Sequence, residues 1–324
     1  MTTVILARHA MSTRFELVLH GGDEAALRAA GEEALDEITR LEDELSYFRA
    51  TSQIFRLNRE AARQPVRVTP WLLRLLQQAQ RLSAESGGTF DITVAPLMRC
   101  WGFYTREGRV PEAEALAQAR AGVGMHLVEL NAPESTVRFT HSGVQLDLGS
   151  IGKGYAVERA GELLREAGVT SALLHGGTST VLAIGTPPNA EGWKIAIDHP
   201  GNPHNSPEHT GDLQLPLATV RLRDESLSVS AVWGKSFTAA DKSYGHVIDP
   251  RTGQPTEGAL LAAIVLPSAT EGDALSTMLL TLGAGEFERV LHLREGMRAL
   301  VAGTGTEGKA LRIESHGFEL RHAE

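Results

Sequence analysis

Two oxygen-bearing side chains are the first candidates for chemistry. Asp273 and Thr277 belong to Asp273-Ala-Leu-Ser-Thr277, inside a stretch whose apolar spacing predicts a helix. Residues at positions i and i+4 share a helix face, so the carboxylate and the hydroxyl point the same way. Such hard oxygen ligands suit Mg²⁺ or Ca²⁺, not zinc. Taken alone, Asp273 is also typical of a helix cap or of a charge that favours the helix dipole.

A histidine lies at the end of a short predicted strand. In Gly245-His-Val-Ile-Asp-Pro-Arg-Thr-Gly253, the proline and the glycine predict a turn of defined geometry. His246 has the residue type of a general base that works near neutral pH. Asp249, directly before Pro250, is more typical of a turn former than of a catalytic residue.

A glycine-rich loop carries a lysine. Asp147-Leu-Gly-Ser-Ile-Gly-Lys-Gly154 predicts a tight connection into a helix. Its backbone N–H groups and Lys153 are suited to holding a phosphate. The loop lacks both the Gly-x4-Gly-Lys-Ser/Thr and the Gly-x-Gly-x-x-Gly spacing. By itself it is therefore also typical of a turn with a solvated lysine.

A third dense cluster is Ser86-Gly-Gly-Thr-Phe-Asp-Ile-Thr-Val-Ala-Pro-Leu97. Its glycines predict the end of a helix, Phe90 offers a ring for stacking, and Asp91 offers an acceptor. The alternative is a helix C-cap followed by a core strand.

Helices and strands intermix without a regular βαβ rhythm, which predicts an α+β fold. Asp23 is the expected cap of a helix that runs to about residue 45, and Thr69-Pro70 opens a second helix that ends at Gly87-Gly88. Other helices are predicted near 112–121, after the 147–154 loop, and over 272–282 and 286–294. Strands are predicted at 14–20, 128–130, 137–139, 144–146, 171–174, 193–198, 215–222, 226–230, 245–248 and 260–266, with two more near the end.

Composition excludes several classes of protein. The 324-residue chain has a formal net charge of −9, which argues against a nucleic-acid-binding surface. Cys100 is the single cysteine, so an internal disulfide is excluded and a reducing compartment is favoured. No long apolar run predicts a membrane helix, and the N-terminal residues do not resemble a signal peptide. A cytoplasmic location is the expectation.

Several motifs follow one another in a fixed series along residues 11–283. They are Met11-Ser-Thr13, Leu45-Ser-Tyr-Phe48 with Ser52 and Leu57-Asn58, Gly87-Gly-Thr-Phe-Asp91 through Trp101-Gly-Phe103, Asp147-Leu-Gly-Ser-Ile-Gly-Lys-Gly-Tyr155, Gly176-Gly177, His246-Val-Ile-Asp-Pro-Arg-Thr-Gly253 and Asp273-Ala-Leu-Ser-Thr277. This ordered set resembles the ApbE family, the FAD:protein FMN transferases. It is far more specific than any single motif.

The resemblance implies a fold and a reaction. The expected fold is α+β, T-fold-like, with mixed sheets packed with helices. It would form one two-lobed domain over residues 1–324. The Pro-, Asn-, Gly- and His-rich composition of residues 199–212 itself predicts a mobile loop there. The implied enzyme cuts the pyrophosphate of FAD and attaches FMN through its phosphate to a Ser or Thr hydroxyl of a target protein, releasing AMP. The expected partner is that acceptor protein, not a nucleic acid or a membrane, and the chain would be a monomer or a homodimer.

The resemblance also implies roles for individual residues. Asp273, Thr277 and the backbone of Ser150 would hold Mg²⁺. His246 would take the proton of the target hydroxyl or assist its approach. The positions that match the lining of the FAD site are Met11, Tyr47, Thr89, Phe90, Asp91, Asp147 and Lys153.

Four departures from the family pattern fall outside the predicted metal set. They are Ser12 for the usual glycine, Glu158 for aspartate, Thr178 after the glycine pair, and Ser230-Ala-Val-Trp-Gly-Lys235 for Ser-Gly-x-Tyr. They affect the expected rim of the flavin site and the protein-substrate surface. An FAD pyrophosphatase giving FMN and AMP, and an FAD-binding protein without catalysis, are the alternatives. The retained Asp273, Thr277 and His246 count against the second alternative.

Overall fold

The structure is a computed structural model that describes residues 1–105, 107–200, 216–234, 236–240, 242–304 and 311–321. Most of the predicted loop at 199–212 lies outside these residues. Two compact units are defined by their internal contacts. Unit 1 comprises Met1–Glu42, Gly152–Gly234 and Gly258–Glu324, and unit 2 comprises Asp43–Ile151 and Lys235–Glu257. The single domain over residues 1–324 stays a prediction.

The secondary structure of the described residues is as follows. The helices are α1 Glu24–Leu45, α2 Gln53–Glu60, α3 Pro70–Glu85, α4 Ala95–Cys100, α5 Ala113–Ala121, α6 Gly152–Glu166, α7 Ala269–Leu282 and α8 Phe287–Leu291. The strands are β1 Thr2–Ala10, β2 Thr13–Gly21, β3 Val66–Arg67, β4 Val128–Asn131, β5 Thr136–Phe139, β6 Ala172–Gly176, β7 Thr180–Ile184, β8 Trp193–Ile197, β9 Ala218–Leu222, β10 Ser226–Ala231, β11 Ser236–Ala239, β12 Lys242–Gly245, β13 Leu261–Leu266, β14 Arg298–Thr304, β15 Leu311–His316 and β16 Glu319–Leu320. None of these helices is long and apolar enough to cross a membrane.

Unit 1 is built on an eight-stranded sheet of order β1-β2-β6-β7-β10-β13-β14-β15. Its neighbouring strands pair antiparallel throughout, as in the register of Leu227 opposite Val265 and Ser230 opposite Ala262. An all-antiparallel sheet with separate helices confirms the α+β class that the sequence predicts.

Both faces of this sheet are covered, as strand β10 shows. Its apolar Leu227 belongs to a buried cluster shared with the small sheet β16-β9-β8, which supplies Trp193, Ile195 and Val220. The alternate residues Ser226, Ser228 and Ser230 point the other way, because successive side chains of a strand face opposite sides. On that side, Ser230 contacts α7. Unit 1 therefore has a helical layer, a large sheet and a small sheet.

Unit 2 combines short helices with the sheet β3-β5-β4 and the hairpin β11-β12. A buried cluster of Leu97, Trp101, Phe103 and Ile248 packs against Phe237 and Tyr244 of the hairpin. The Trp101 indole N–H also donates to the Gly253 carbonyl at 2.8 Å. These contacts tie the motif that contains His246 to the rest of unit 2.

Some predicted elements are wrong. Residues 144–146 form no strand, because the side chain of Asn58 hydrogen-bonds the backbone N–H and C=O of Leu146 in place of a neighbouring strand. The strand expected at 245–248 ends at Gly245, and beyond it Ile248 forms only an isolated bridge with Pro255. Thr69 precedes α3 as predicted but makes no capping bond, because its hydroxyl accepts from Gln53.

Other predicted elements are confirmed. Asp23 accepts the N–H groups of Ala25 and Ala26 at the start of α1. Helix α7 is present but begins at Ala269, before the predicted start at 272, and its N-cap is Ser268, whose hydroxyl accepts from the N–H of Glu271, not Asp273. Strand β1 was not predicted. Its inward side chains Val4 and Leu6 are buried, and Gly31 of α1 packs against Leu6.

Gly154 is a point of close approach between α6 and α7. A Cβ atom at this position would lie 2.3 Å from the carbonyl oxygen of Ala269 and 2.7 Å from the Cβ of Asp273. Neither atom belongs to the flexible end of a side chain. The spacing of the two helices therefore requires glycine here.

Substitution Gly154→Ala is expected to lower the free energy of unfolding by about 1–3 kcal/mol, since the two helices must separate to admit the methyl group. Urea unfolding followed by circular dichroism measures this. Gly22→Ala is the control, because its added Cβ has no neighbour within 4 Å. A loss for Gly154→Ala no larger than for the control would contradict the packing argument.

Candidate active site

The carboxylate of Asp273 is buried and oriented by the main chain of α6. Asp273 is 4% exposed. The N–H of Gly154 donates to its Oδ2 at 2.9 Å. Among the described residues this is the one hydrogen bond made to the side chain of Asp273, which leaves Oδ1 available as a ligand. A buried carboxylate is stable only when a cation or hydrogen-bond donors compensate its charge.

The electrostatics of Asp273 show that compensation within the chain is incomplete. Burial raises the pKa of the Asp273 carboxyl above its ordinary value. The charge of Lys153 and the N–H of Gly154 act in the opposite direction, and burial is the largest of the three effects. An added cation at this position would stabilise the ionised carboxylate.

Thr277 lies one helical turn along α7 from Asp273, as the sequence predicts. Its hydroxyl is part-buried and lies 3.2 Å from the main-chain oxygen of Asp273 and 3.1 Å from the hydroxyl of Ser230. Ser230 also lies 2.8 Å from the hydroxyl of Ser276. Ser230 and Ser276 were missed as site residues, since only the packing of α7 on β10 brings Ser230 beside Ser276 and Thr277.

The N-terminus of α7 is anchored by Glu158 of α6. One oxygen of Glu158 accepts from the Ser268 hydroxyl at 2.7 Å and from the Thr270 N–H at 2.9 Å. A carboxylate at a helix N-terminus satisfies an unpaired N–H and favours the helix dipole. Glu158, one of the departures from the family pattern, therefore helps to hold the helix that carries Asp273 and Thr277.

Lys153, Asp273 and Thr277 are brought together within unit 1, whereas Ser150 belongs to unit 2. No group of three or more His, Cys, Asp or Glu side chains arranged to hold a metal occurs among the residues that the structure describes. The metal ligands predicted from the sequence differ from such a group, because they are one carboxylate, one hydroxyl and one backbone oxygen. The all-oxygen chemistry and the incompletely compensated Asp273 fit Mg²⁺.

In unit 2, Asp147 is held by an aromatic neighbour. Its carboxylate accepts from the Gly149 N–H at 2.8 Å and from the hydroxyl of Tyr104. Burial and the charge of Asp147 raise the pKa of Tyr104, so its hydroxyl stays protonated as the donor. The Tyr104 ring lies 4.6 Å from that of Tyr47. The structure thus joins Tyr47 and Asp147 through Tyr104, which was missed because a lone tyrosine carries no sequence signal.

Asp91 has a structural role within unit 2. Its two carboxylate oxygens accept from the Ser83 and Thr93 hydroxyls and from the N–H groups of Thr93 and Met125. The side chains of Thr89 and Phe90 are each 1% exposed. The alternative interpretation of a core strand after Asp91 is wrong, because a turn and α4 follow it.

The loop after His246 is ordered by Asp249. The Asp249 carboxylate accepts from the N–H of Arg251 at 2.9 Å and pairs with the Arg251 guanidinium at 2.7 Å. Asp249 is 9% exposed. These contacts confirm that Asp249 is a turn former. His246 itself is half-buried at the start of this loop.

Met11 lies in a two-residue hairpin turn between β1 and β2. Ala10 pairs with Thr13, and the φ angles of Met11 and Ser12 are 49° and 60°. Positive φ at both central residues is the geometry of a type I′ turn, which favours glycine. This turn conformation explains why glycine is usual at position 12 in the family, and Ser12 adopts the same conformation.

Comparisons with known proteins identify the family of this chain. A profile of the ApbE family matches residues 11–301. The FAD:protein FMN transferase of Klebsiella pneumoniae (strain 342) is 30% identical over 301 residues, which are 90% of this chain and 82% of that protein. That of Treponema pallidum (strain Nichols) is 31% identical over 289 residues, 85% of this chain and 77% of that protein.

Solved structures show the same architecture. The ApbE protein of Thermotoga maritima superposes with a TM-score of 0.84 at 25% identity over 96% of each chain. The apo form of the flavinyl transferase ApbE of Pseudomonas stutzeri gives 0.82 at 27% identity, over 97% of this chain and 94% of that one. The α+β fold is that of a flavin-transferase-type protein. The chain belongs to the ApbE family, which confirms the resemblance identified from its motifs.

Asp273→Asn is expected to stabilise the metal-free protein, because it removes a poorly solvated charge and keeps the side-chain shape. The pKa of Asp273 is higher in the folded than in the unfolded state. Ionisation of Asp273 therefore lowers the free energy of unfolding at pH values above the unfolded-state pKa. This loss becomes smaller as pH falls through the folded-state pKa and Asp273 is protonated. The advantage of the variant should therefore be larger at about pH 8 than at about pH 5.

Thermal unfolding in EDTA at both pH values measures this effect. Asp198→Asn is the control, since Asp198 is exposed. A less stable Asp273→Asn protein at the higher pH would show that Lys153 and Gly154 already compensate the charge.

Proposed function

We propose that this protein is a Mg²⁺-dependent FAD:protein FMN transferase. It moves FMN from FAD to a Ser or Thr hydroxyl of an acceptor protein, forms a phosphoester and releases AMP. The observation that carries the proposal is the buried Asp273 carboxylate, oriented by Gly154 and followed by Thr277, in a chain whose relatives are named FAD:protein FMN transferase. A buried charge of this kind is expected where a bound cation compensates it.

The reaction is a phosphoryl-type displacement. The acceptor hydroxyl oxygen forms a bond to the phosphorus that bears riboflavin. The bond from that phosphorus to the bridging oxygen breaks, and AMP leaves with the bridging oxygen. Enzymes accelerate such displacements mainly by positioning the reactants and by stabilising charge, so a covalent enzyme nucleophile is unnecessary.

Asp273, Thr277 and the backbone of Ser150 would hold the magnesium ion. When bound, the ion would neutralise negative charge on the diphosphate and orient it for in-line attack. Lys153 contributes a further positive charge close to Asp273, as its effect on the pKa of that carboxyl shows. Lysine at this position suits the diphosphate as a point charge.

The remaining residues act on the flavin and on the proton. Tyr47 offers an aromatic ring, and Asp147 offers an acceptor whose orientation Tyr104 maintains. Met11 would contribute from its hairpin turn, and the 89–91 segment would contribute through its backbone. His246 would accept the proton of the acceptor hydroxyl, on a loop that the contacts of Asp249 and Trp101 keep in place.

The experiment that tests this function combines the protein with FAD, Mg²⁺ and an acceptor that carries an Asp-x-x-Ser/Thr-Gly-Ala-Ser/Thr segment. Flavin fluorescence on the acceptor after denaturing electrophoresis, with one AMP released per label, supports transfer. The control acceptor has alanine at both hydroxyl positions and should stay unlabelled. Free FMN and AMP without label would indicate a pyrophosphatase, and unaltered bound FAD would indicate a binding protein.

His246→Ala is expected to slow transfer by about 10²-fold or more, because a positioned general base contributes about 10²–10⁴-fold. The dissociation constant for FAD should change by less than about twofold, since that role concerns the proton alone. Single-turnover labelling and flavin fluorescence titration measure the two quantities. His292→Ala, at a side chain 77% exposed, is the control. An equal rate for both variants would remove His246 from the mechanism.

A further inference from the structure

Three hydroxyls meet beside Asp273 in unit 1. Ser230 lies near the end of β10, and its Oγ is 2.8 Å from Ser276 Oγ and 3.1 Å from Thr277 Oγ1. Ser276 and Thr277 are consecutive residues of α7. None of these three hydroxyls takes part in the contacts of the Asp273 carboxylate or of Lys153 described above.

The protons of this group have few acceptors. The carbonyl oxygen of Asp273 has two lone pairs. Helix geometry directs the N–H of Thr277 to one of them. The hydroxyls of Ser276 and Thr277 both approach the same oxygen, at 2.9 Å and 3.2 Å respectively. Three donors therefore compete for two positions, and the longer Thr277 contact is the weaker.

Ser230 resolves this competition. If the Thr277 hydroxyl donates to Ser230 Oγ, the Ser230 hydroxyl donates to Ser276 Oγ, and the Ser276 hydroxyl donates to the Asp273 carbonyl, then every proton has an acceptor. The proton of Thr277 is then directed to β10. The remaining lone pairs of Thr277 Oγ1 are free of competing protons, as a metal ligand requires.

We infer that Ser230 is a positioning residue for Thr277: it accepts the proton of the Thr277 hydroxyl and thereby turns the lone pairs of that oxygen toward the cation. This inference rests on the proposed Mg²⁺ site. Ser230 acts through Thr277, and partners of this kind commonly tune metal affinity by orienting the ligand.

The packing of α7 on β10 explains why a serine performs this role. At Gly272, a Cβ atom would lie 3.1 Å from Ser228 Oγ, so helix and strand are close together there. This close approach favours small side chains on β10 at Ser228. Ser228, two residues before Ser230, is buried and its hydroxyl has no hydrogen-bond partner in the described part of the chain. Ser228 is thus a matched control on the same strand and the same face.

The test measures metal affinity directly, with Mn²⁺ as the probe and electron paramagnetic resonance to count the free ion. The full chain is used without FAD, and Mg²⁺ should displace the bound Mn²⁺. Ser230→Ala is expected to weaken Mn²⁺ binding by about 3- to 10-fold, the effect of one hydrogen bond that orients a ligand. Ser228→Ala should bind Mn²⁺ as tightly as the wild-type protein.

An isosteric pair separates the hydroxyl from its packing. Ser230→Thr and Ser230→Val add the same bulk to β10, but only the threonine variant keeps a hydroxyl. Ser230→Thr should bind Mn²⁺ more tightly than Ser230→Val by about 3- to 10-fold, and equal affinities would overturn the inference. This comparison remains informative if Ser230→Ala folds poorly.

Asp273→Asn distinguishes failure of the inference from failure of the metal site. Loss of Mn²⁺ binding in Asp273→Asn with normal binding in Ser230→Ala would overturn the role of Ser230 alone. Two other outcomes would overturn both the role of Ser230 and the proposed Mg²⁺ site. In the first, the wild-type protein binds no Mn²⁺. In the second, Asp273→Asn binds Mn²⁺ as tightly as the wild-type protein does.

Discussion

The buried carboxylate of Asp273 is the constraint on which the functional part of unit 1 depends. A charge at 4% exposure is costly unless donors reach it, and the nearest donor is the main-chain N–H of Gly154. That N–H reaches Asp273 only because residue 154 has no side chain. The same glycine sets the spacing of α6 and α7, so helix packing and the chemistry of the carboxylate have one cause.

Other contacts around α7 serve this arrangement. Glu158 holds the first turn of the helix, and the small side chain of Ser228 on β10 lets the helix approach the sheet at Gly272. A well-packed apolar interface at this place would be more stable but would leave no oxygen atoms beside Asp273. The polar face of β10 is therefore best understood as part of the site, and an apolar cluster that includes Leu227 lies on the opposite face of this strand.

Unit 2 contains most of the residues expected to bind flavin, and there the structure separates two kinds of role. Asp91 is fully engaged in holding the loop between α3 and α4, whereas Asp147 shares its contacts with Tyr104 and a local turn. Both are aspartates in family motifs, and the sequence does not distinguish them. Only the hydrogen-bond partners show which one is a framework residue.

The sequence by itself determined the family, the α+β class, the i, i+4 relation of Asp273 and Thr277, and the cap of α1, because these depend on residues close together in the chain. It could not reveal that residues 144–146 are bound by Asn58, that Tyr104 holds Asp147, or that Ser230 meets Thr277. These partners are 88, 43 and 47 residues apart. Only the tertiary structure decides such contacts, because hydrogen bonding between distant residues depends on how strands pair and how closely helices pack, and no local periodicity encodes either.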